Sequence, residues 1–172
     1  MNTKNNKRRR ESQEKIEKAF IERLQTCELK DITVSDLIKM TGLNRSTFYA
    51  NYMDVFDLAD KTREKLENEF SNLFADYDYF NERSGAFRMF THIKENQIFY
   101  KTYFKLCYDD KHLISVYDTK RAEKEQITDH LKYHIEFFRN GLNAIIKMWL
   151  ADGCQESPEE MVAVLQQEYR GR

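Results

Sequence analysis

The chain of 172 residues contains one proline and five glycines. Both residues disfavour helix interiors, by roughly 3 and 1 kcal/mol per position relative to alanine. Their scarcity favours long helices over a turn-rich β fold. Three cysteines, Cys27, Cys107 and Cys154, are too widely spaced for a metal motif and cannot all pair, so reduced thiols are expected. No apolar run reaches the length of a membrane span and no signal peptide opens the chain. The expectation is a cytoplasmic protein with no membrane partner. The nucleophile elbow, phosphate loop, zinc signature and dinucleotide fingerprint are all missing, so neither an enzyme nor a cofactor is expected. There is no internal repeat or low-complexity tract.

Charge is present in both signs but unevenly. Residues 1–52 carry eleven Lys/Arg against seven Asp/Glu, net +4, and the remaining 120 carry seventeen against twenty-two, net −5. A basic head on an acidic body suits a nucleic-acid reader with a separate regulatory part. The run Lys7, Arg8, Arg9, Arg10 stands ahead of a first helix expected from about Glu11 to Cys27. It is either a contact to phosphates or a minor groove, or a solvated terminus. Ile16, Phe20 and Leu24, with Ala19 and Ile21 alongside, form that helix's apolar stripe.

Residues 33–52 read T-V-S-D-L-I-K-M-T-G-L-N-R-S-T-F-Y-A-N-Y. Thr33 and Asp36 have the spacing of a capping box, and Val34, Leu37, Ile38 and Thr41 share one helical face. Gly42 suits the left-handed end of that helix, Leu43 plugs the angle, and Asn44 is a candidate N-cap for a second helix. Phe48 and Tyr52 should face inward. That leaves Arg45, Ser46, Tyr49, Ala50 and Asn51 outward, with side chains that suit a major groove: arginine for guanine or phosphate, asparagine for adenine or phosphate. The pattern alone fits a DNA-reading helix-turn-helix or an ordinary helical hairpin.

A fourth helix, from about Asp54 to Phe74, carries Phe56, Leu58, Leu66, Phe70 and Leu73 and should link head to body. The body, from about Asn81, should be helical, with loops near 81–85, 109–111 and 153–157. It is dense in aromatics: Phe80, Phe87, Phe90, Phe99, Tyr100, Tyr103, Phe104 and Tyr108. Phe and Tyr at helical spacing usually form core, and buried tyrosine hydroxyls need partners. His130 and His134 are one turn apart, but nothing nearby completes a metal site, so no metal is expected. Near the C-terminus, Phe138, Leu142, Ile145, Ile146, Met148, Trp149 and Leu150 make a helix too apolar for one shallow face. Gly141 admits a close backbone, Gly153 ends the helix, and Ser157 caps the next, with Pro158, Glu159 and Glu160 in its first turn. Met161, Val162 and Leu165 form a further stripe. The two helices either complete a monomer core or pair with their symmetry mates.

The segment Ile16–Leu58 resembles the N-terminal domain of the TetR/AcrR family of bacterial transcription regulators. That family carries an I-T-V-x-D-I/L-A-x-x-A-G-V-S-x-x-T-F/L-Y-x-H-F-like run, matched here by I-T-V-S-D-L-I-K-M-T-G-L-N-R-S-T-F-Y-A-N-Y. The later run F-F-R-N-G-L-N-A-I-I-K-M-W-L-A-D-G-C-Q-E-S-P-E-E-M is similar to the C-terminal domain of a Gram-positive subgroup. The resemblance implies an all-α fold, with a three-helix DNA-binding domain over 1–53 and a helical ligand-binding and dimerisation domain over 54–172. It implies duplex-DNA contacts at Thr33, Asn44, Arg45, Ser46, Thr47, Tyr49, Ala50 and Asn51. It also implies a homodimer interface at Phe138, Gly141, Leu142, Ile145, Met148, Trp149, Met161, Val162 and Leu165. An effector pocket is implied at Phe87, Phe90, Phe99, Tyr103 and Phe104. The implied function is a ligand-responsive homodimeric repressor on a near-palindromic operator. One position departs: relatives place a phosphate-clamping lysine where this chain has Val55. That departure keeps open a second reading, a TetR-like coactivator working through another protein, as a few relatives do, including in dihydroxyacetone metabolism.

Overall fold

A computed structural model describes residues 4–74, 83–106 and 131–169. All regular structure among them is helical: α1 (Lys4–Leu24), a 3-10 turn (Leu29–Asp31), α2 (Val34–Thr41), α3 (Arg45–Tyr49), α4 (Val55–Phe74), α5 (Arg83–Glu95), α6 (Gln97–Leu106), α7 (Leu131–Ala151) and α8 (Pro158–Tyr169). Two compact units result. The first comprises the chain up to Asn68 with the end of α6 from Thr102; the second comprises Glu69–Lys101 and the later helices. Compact packing thus assigns the first turns of α4 to the head, whereas residue 53 marks only the end of the helix-turn-helix.

In the first unit, α1 begins at Lys4 rather than Glu11 and ends at Leu24 rather than Cys27. The basic run Lys7–Arg10 is therefore helical, not a leader to the helix. Lysine and arginine are good helix formers, no proline or glycine interrupts them, and Lys7–Glu11 and Arg10–Glu14 have the four-residue spacing that favours opposite charges. Ile16, Phe20 and Leu24 are buried together with Leu37, Phe48, Tyr52, Val55, Leu58 and Leu106. Each such side chain contributes about 1.5–3 kcal/mol of apolar burial. The end of α6 is tied to the end of α1. The Gln25 side-chain amide donates to Thr102 Oγ1 at 3.0 Å, and Lys105 Nζ donates to the Leu24 carbonyl at 2.6 Å.

The turn chemistry follows the sequence closely. Thr33 Oγ1 accepts from the Asp36 backbone N–H, while the Asp36 carboxylate accepts from the Thr33 backbone and hydroxyl. Gly42 ends α2 with φ of 69°, a left-handed conformation that costs a residue bearing a Cβ about 1 kcal/mol. At the start of α4, the Asp57 N–H donates to Asp54 Oδ1 and the Met53 N–H to Asp57 Oδ2, both at 2.8 Å. Phe56 is exposed, while its neighbour Val55 turns into the core.

In the second unit, α5 packs against α8, and both bury apolar residues: Met89, Phe90 and Ile93 on one, Met161, Val162 and Leu165 on the other. Phe90 meets Trp149 of α7 edge-to-face at 5.5 Å. Gly153 and Cys154 are both left-handed, and the Cys154 N–H donates to the Trp149 carbonyl at 2.8 Å, closing α7. Ser157 and Glu160 form a second capping box. Burial raises the pKa of the Cys154 thiol, which keeps it protonated and unreactive.

The Thr33 cap is testable. Thr33→Ala should lower unfolding stability by about 1 kcal/mol in a denaturant titration. The hydrogen bonds from Thr33 hold the Asp36 carboxyl below its ordinary pKa. Its contribution is therefore present above the ordinary carboxylate range and is lost as pH falls through the folded-state pKa. Asp36→Asn should flatten that acid limb, and an unchanged pH profile would contradict the assignment.

Candidate nucleic-acid interface

α3 spans only five residues, too few to be stable alone. Its position is imposed by the inward side chains Phe48 and Tyr52, which are buried with ring centroids 5.7 Å apart. The Tyr52 hydroxyl donates to Glu17 Oε1 at 3.2 Å, and Glu17 Oε2 pairs with Lys65 Nζ at 2.8 Å. This network joins α1, the end of the helix-turn-helix and α4. Burial, then the Glu17 charge, pushes the Tyr52 hydroxyl pKa well above its ordinary value, so it stays a donor throughout the accessible pH range.

Fixing the inward face leaves Asn44, Arg45, Ser46, Tyr49 and Ala50 exposed, with Thr47 and Asn51 half-buried. Asn44 sits at the N-cap, but its side chain makes no capping bond; its backbone carbonyl alone receives the Thr47 and Phe48 N–H groups. The carboxamide is thus not committed to the helix. Arg45 is anchored from α2, Nη2 donating to Ser35 Oγ at 2.7 Å. Tyr49 is 54% exposed, its ring edge-on to Phe48 at 5.5 Å. The Thr33 side chain is committed to its capping box. Asn51 is committed at both ends: Nδ2 donates to the Thr47 carbonyl at 2.7 Å, and Oδ1 accepts from Arg9 Nε at 3.1 Å.

Ser35 is a participant that the sequence does not mark, whereas Arg9 belongs to the basic run read above as a candidate phosphate or minor-groove contact; only its bond to Asn51 is not legible there. Ser35 follows the α2 cap, and no pattern tied it to Arg45. Arg9 shares the face of Ile16 two turns on, a register readable only if α1 is known to start before it. Val55 is buried in the head's core. A lysine does stand nearby: Lys61, one turn and a half along α4, pairs with Asp57 at 2.8 Å and reaches the Asn51 carbonyl at 3.4 Å.

Residues 77–170 match the family described as the transcriptional regulator C-terminal region of TetR type. The chain belongs to the TetR family of transcriptional regulators. A curated relative, the HTH-type dhaKLM operon transcriptional activator DhaS of Lactococcus lactis, is 28% identical over 106 residues, a match spanning 61% of this chain and 55% of the relative. A solved structure titled dihydroxyacetone kinase operon activator DhaS is similar in fold, with a TM-score of 0.54 and 22% identity over 91% of this chain and 92% of that one.

In this TetR-family chain, the aromatics that the resemblance implies for a pocket are divided between the two units. Phe87 is exposed, Phe90 is buried against Trp149, and Phe99 meets Tyr100 and His92 edge-on. Tyr103 and Phe104 fall in the first unit. His92 Nδ1 lies 2.7 Å from the Tyr100 hydroxyl, and burial lowers its pKa. The expected interface residues also divide. Leu142, Trp149, Met161, Val162 and Leu165 are buried within a single chain, because they close the second unit's own core. Gly141 and Ile145 are half-buried and Met148 is exposed. The Phe138 side chain, that of His134, and all of His130 lie outside the described residues.

The outward row carries a specific expectation. In a gel-shift titration with the DNA upstream of the protein's own gene, Arg45→Ala and Tyr49→Ala should each weaken binding at least several-fold, about 1–3 kcal/mol for a lost base contact, with unchanged helical content. Wild-type affinity in both variants would remove these residues from the interface.

Proposed function

We propose that this regulator binds duplex DNA sequence-specifically through α3, works as a homodimer on a near-palindromic operator, and responds to a small-molecule effector in its body. The observation that carries this reading is the two-sided recognition helix. Phe48 and Tyr52 are locked inward, which commits Asn44, Arg45, Ser46 and Tyr49 to the outside. One short helix reads too few base pairs for a unique site, and two heads related by a twofold double the reading. Such a regulator acts in the cytoplasm, where its DNA lies, and needs no catalysis or cofactor.

The outer face of α7 supports the homodimer. Tyr133, Phe137 and Met148 are each about two-thirds exposed, and with Gly141 and Ala144 they fall on one helical stripe, opposite the buried Leu142, Ile146 and Trp149. An exposed apolar stripe with small residues at its centre suits close helix pairing. The effector reading is supported by Asn143, 4% exposed, and by the buried Trp149 Nε1: among the described residues neither Asn143 Oδ1 or Nδ2 nor Trp149 Nε1 has a hydrogen-bond partner. An unmet buried amide costs about 1–3 kcal/mol. A ligand offering a donor beside an acceptor would satisfy it. α4 and α6 each contain residues of both units, so they are the elements through which ligand binding can bias the heads. The effect is limited to the ligand's differential affinity for the two states.

Repression by operator occlusion is the simplest output. Activation through a partner protein is the second reading. It is favoured by the relative named as an activator and by Met53 and Phe56, exposed at 78% and 58% beside the recognition helix. A reporter fused to the bound promoter separates the two: deleting the gene raises expression under repression and lowers it under activation.

Sedimentation tests the dimer. Wild type should run at twice the chain mass of 20.8 kDa, and Met148→Lys should run as a folded monomer; a monomeric wild type would end this reading. Asn143→Leu should raise the ligand-free melting temperature, since a buried polar group without a partner is removed. A lower melting temperature would mean that Asn143 is structural.

A further inference from the structure

We propose that Arg9 is a DNA-phosphate contact and that Asn51 is the positioning residue that aims it, rather than a reader of bases. This rests on the DNA-binding reading above. α1 continues unbroken through Lys7, Arg8, Arg9 and Arg10, so these cations are carried on a rigid helix. Arg9 lies seven residues before the buried Ile16, two turns and about 10 Å along the same face. That register brings its exposed guanidinium to the end of the recognition helix, where Nε donates to Asn51 Oδ1 at 3.1 Å. Asn51 Nδ2 is held in turn by the Thr47 carbonyl at 2.7 Å.

The chemistry divides cleanly. A carboxamide reads adenine by offering its donor and acceptor together. Each already makes one hydrogen bond here, which fixes the plane of the carboxamide and the direction of its remaining proton and lone pair, so a bidentate base contact would have to reorient it. A guanidinium has five N–H donors in a planar fork and is always charged. Arg9 uses one of them on Asn51. Its two terminal nitrogens have no other hydrogen-bond partner among the described residues, and that end of the fork matches a phosphate bidentately. The Asn51 bond fixes the fork beside the exposed end of α3, so less rotamer freedom is lost when DNA arrives. The contact supplies affinity and register, not sequence information.

The test uses the full-length chain, a fluorescein-labelled duplex carrying the region upstream of its own gene, and a scrambled duplex. Affinities are measured by anisotropy between about 50 and 200 mM salt. Arg9→Gln removes the charge but keeps a hydrogen-bonding group for Asn51. It should weaken binding to both duplexes by a similar factor and reduce the salt slope by about 1. Arg9→Lys should keep the slope while losing part of the affinity. Asn51→Ala should weaken binding without relaxing discrimination at any base pair, and the Arg9→Gln/Asn51→Ala pair should be little worse than Arg9→Gln alone. A salt slope unchanged in Arg9→Gln, or discrimination lost at one base pair in Asn51→Ala, overturns the proposal. A wild type that binds neither duplex at any salt overturns the DNA-binding reading itself, and the wild-type curve alone distinguishes that failure.

Discussion

Everything proposed for the head depends on the burial of Phe48 and Tyr52. A recognition helix of five residues has almost no stability of its own, so its orientation is whatever its inward side chains dictate. Phe48 packs into the core formed by α1, α2 and α4, and Tyr52 adds a hydrogen bond to Glu17, itself paired with Lys65. Two rings thereby fix a rotation about the helix axis. That rotation determines which side chains solvent, or a groove, can reach.

The same logic makes the neighbouring polar contacts informative. Arg45 is braced by Ser35 and Asn51 by Arg9, so the outer surface is organised before any partner binds. Preorganisation of this kind lowers the ordering cost of association. It also changes how individual residues should be regarded. The Asn44 carboxamide makes no capping bond, while that of Asn51, of the same chemistry, is held by one hydrogen bond at each end.

Much of the head was readable in the sequence because its signals are local. The Thr33–Asp36 box, the left-handed Gly42 and the inward pair Phe48 and Tyr52 each depend on residues a few positions apart. The start of α1 is harder to read, because a basic run resembles a solvated tail although lysine and arginine are good helix formers. The body was less readable. An apolar stripe looks the same in sequence whether it faces its own core or a second chain, so Leu142, Trp149 and Leu165 could not be told from Met148. Aromatic density is equally ambiguous, because Phe and Tyr at helical spacing serve a core or a pocket alike. The buried Asn143 amide has no hydrogen-bond partner among the described residues. Nothing in its sequence neighbourhood marks it.

The central claim is that residues 33–52 of this TetR-family chain read duplex DNA. Selection of binding sites from a random-sequence duplex library by the wild-type protein tests it most directly. The expected product is a near-palindrome whose two halves are recognised equivalently, enriched over successive rounds. A library that stays random through every round, at salt low enough to permit phosphate contacts, would contradict it.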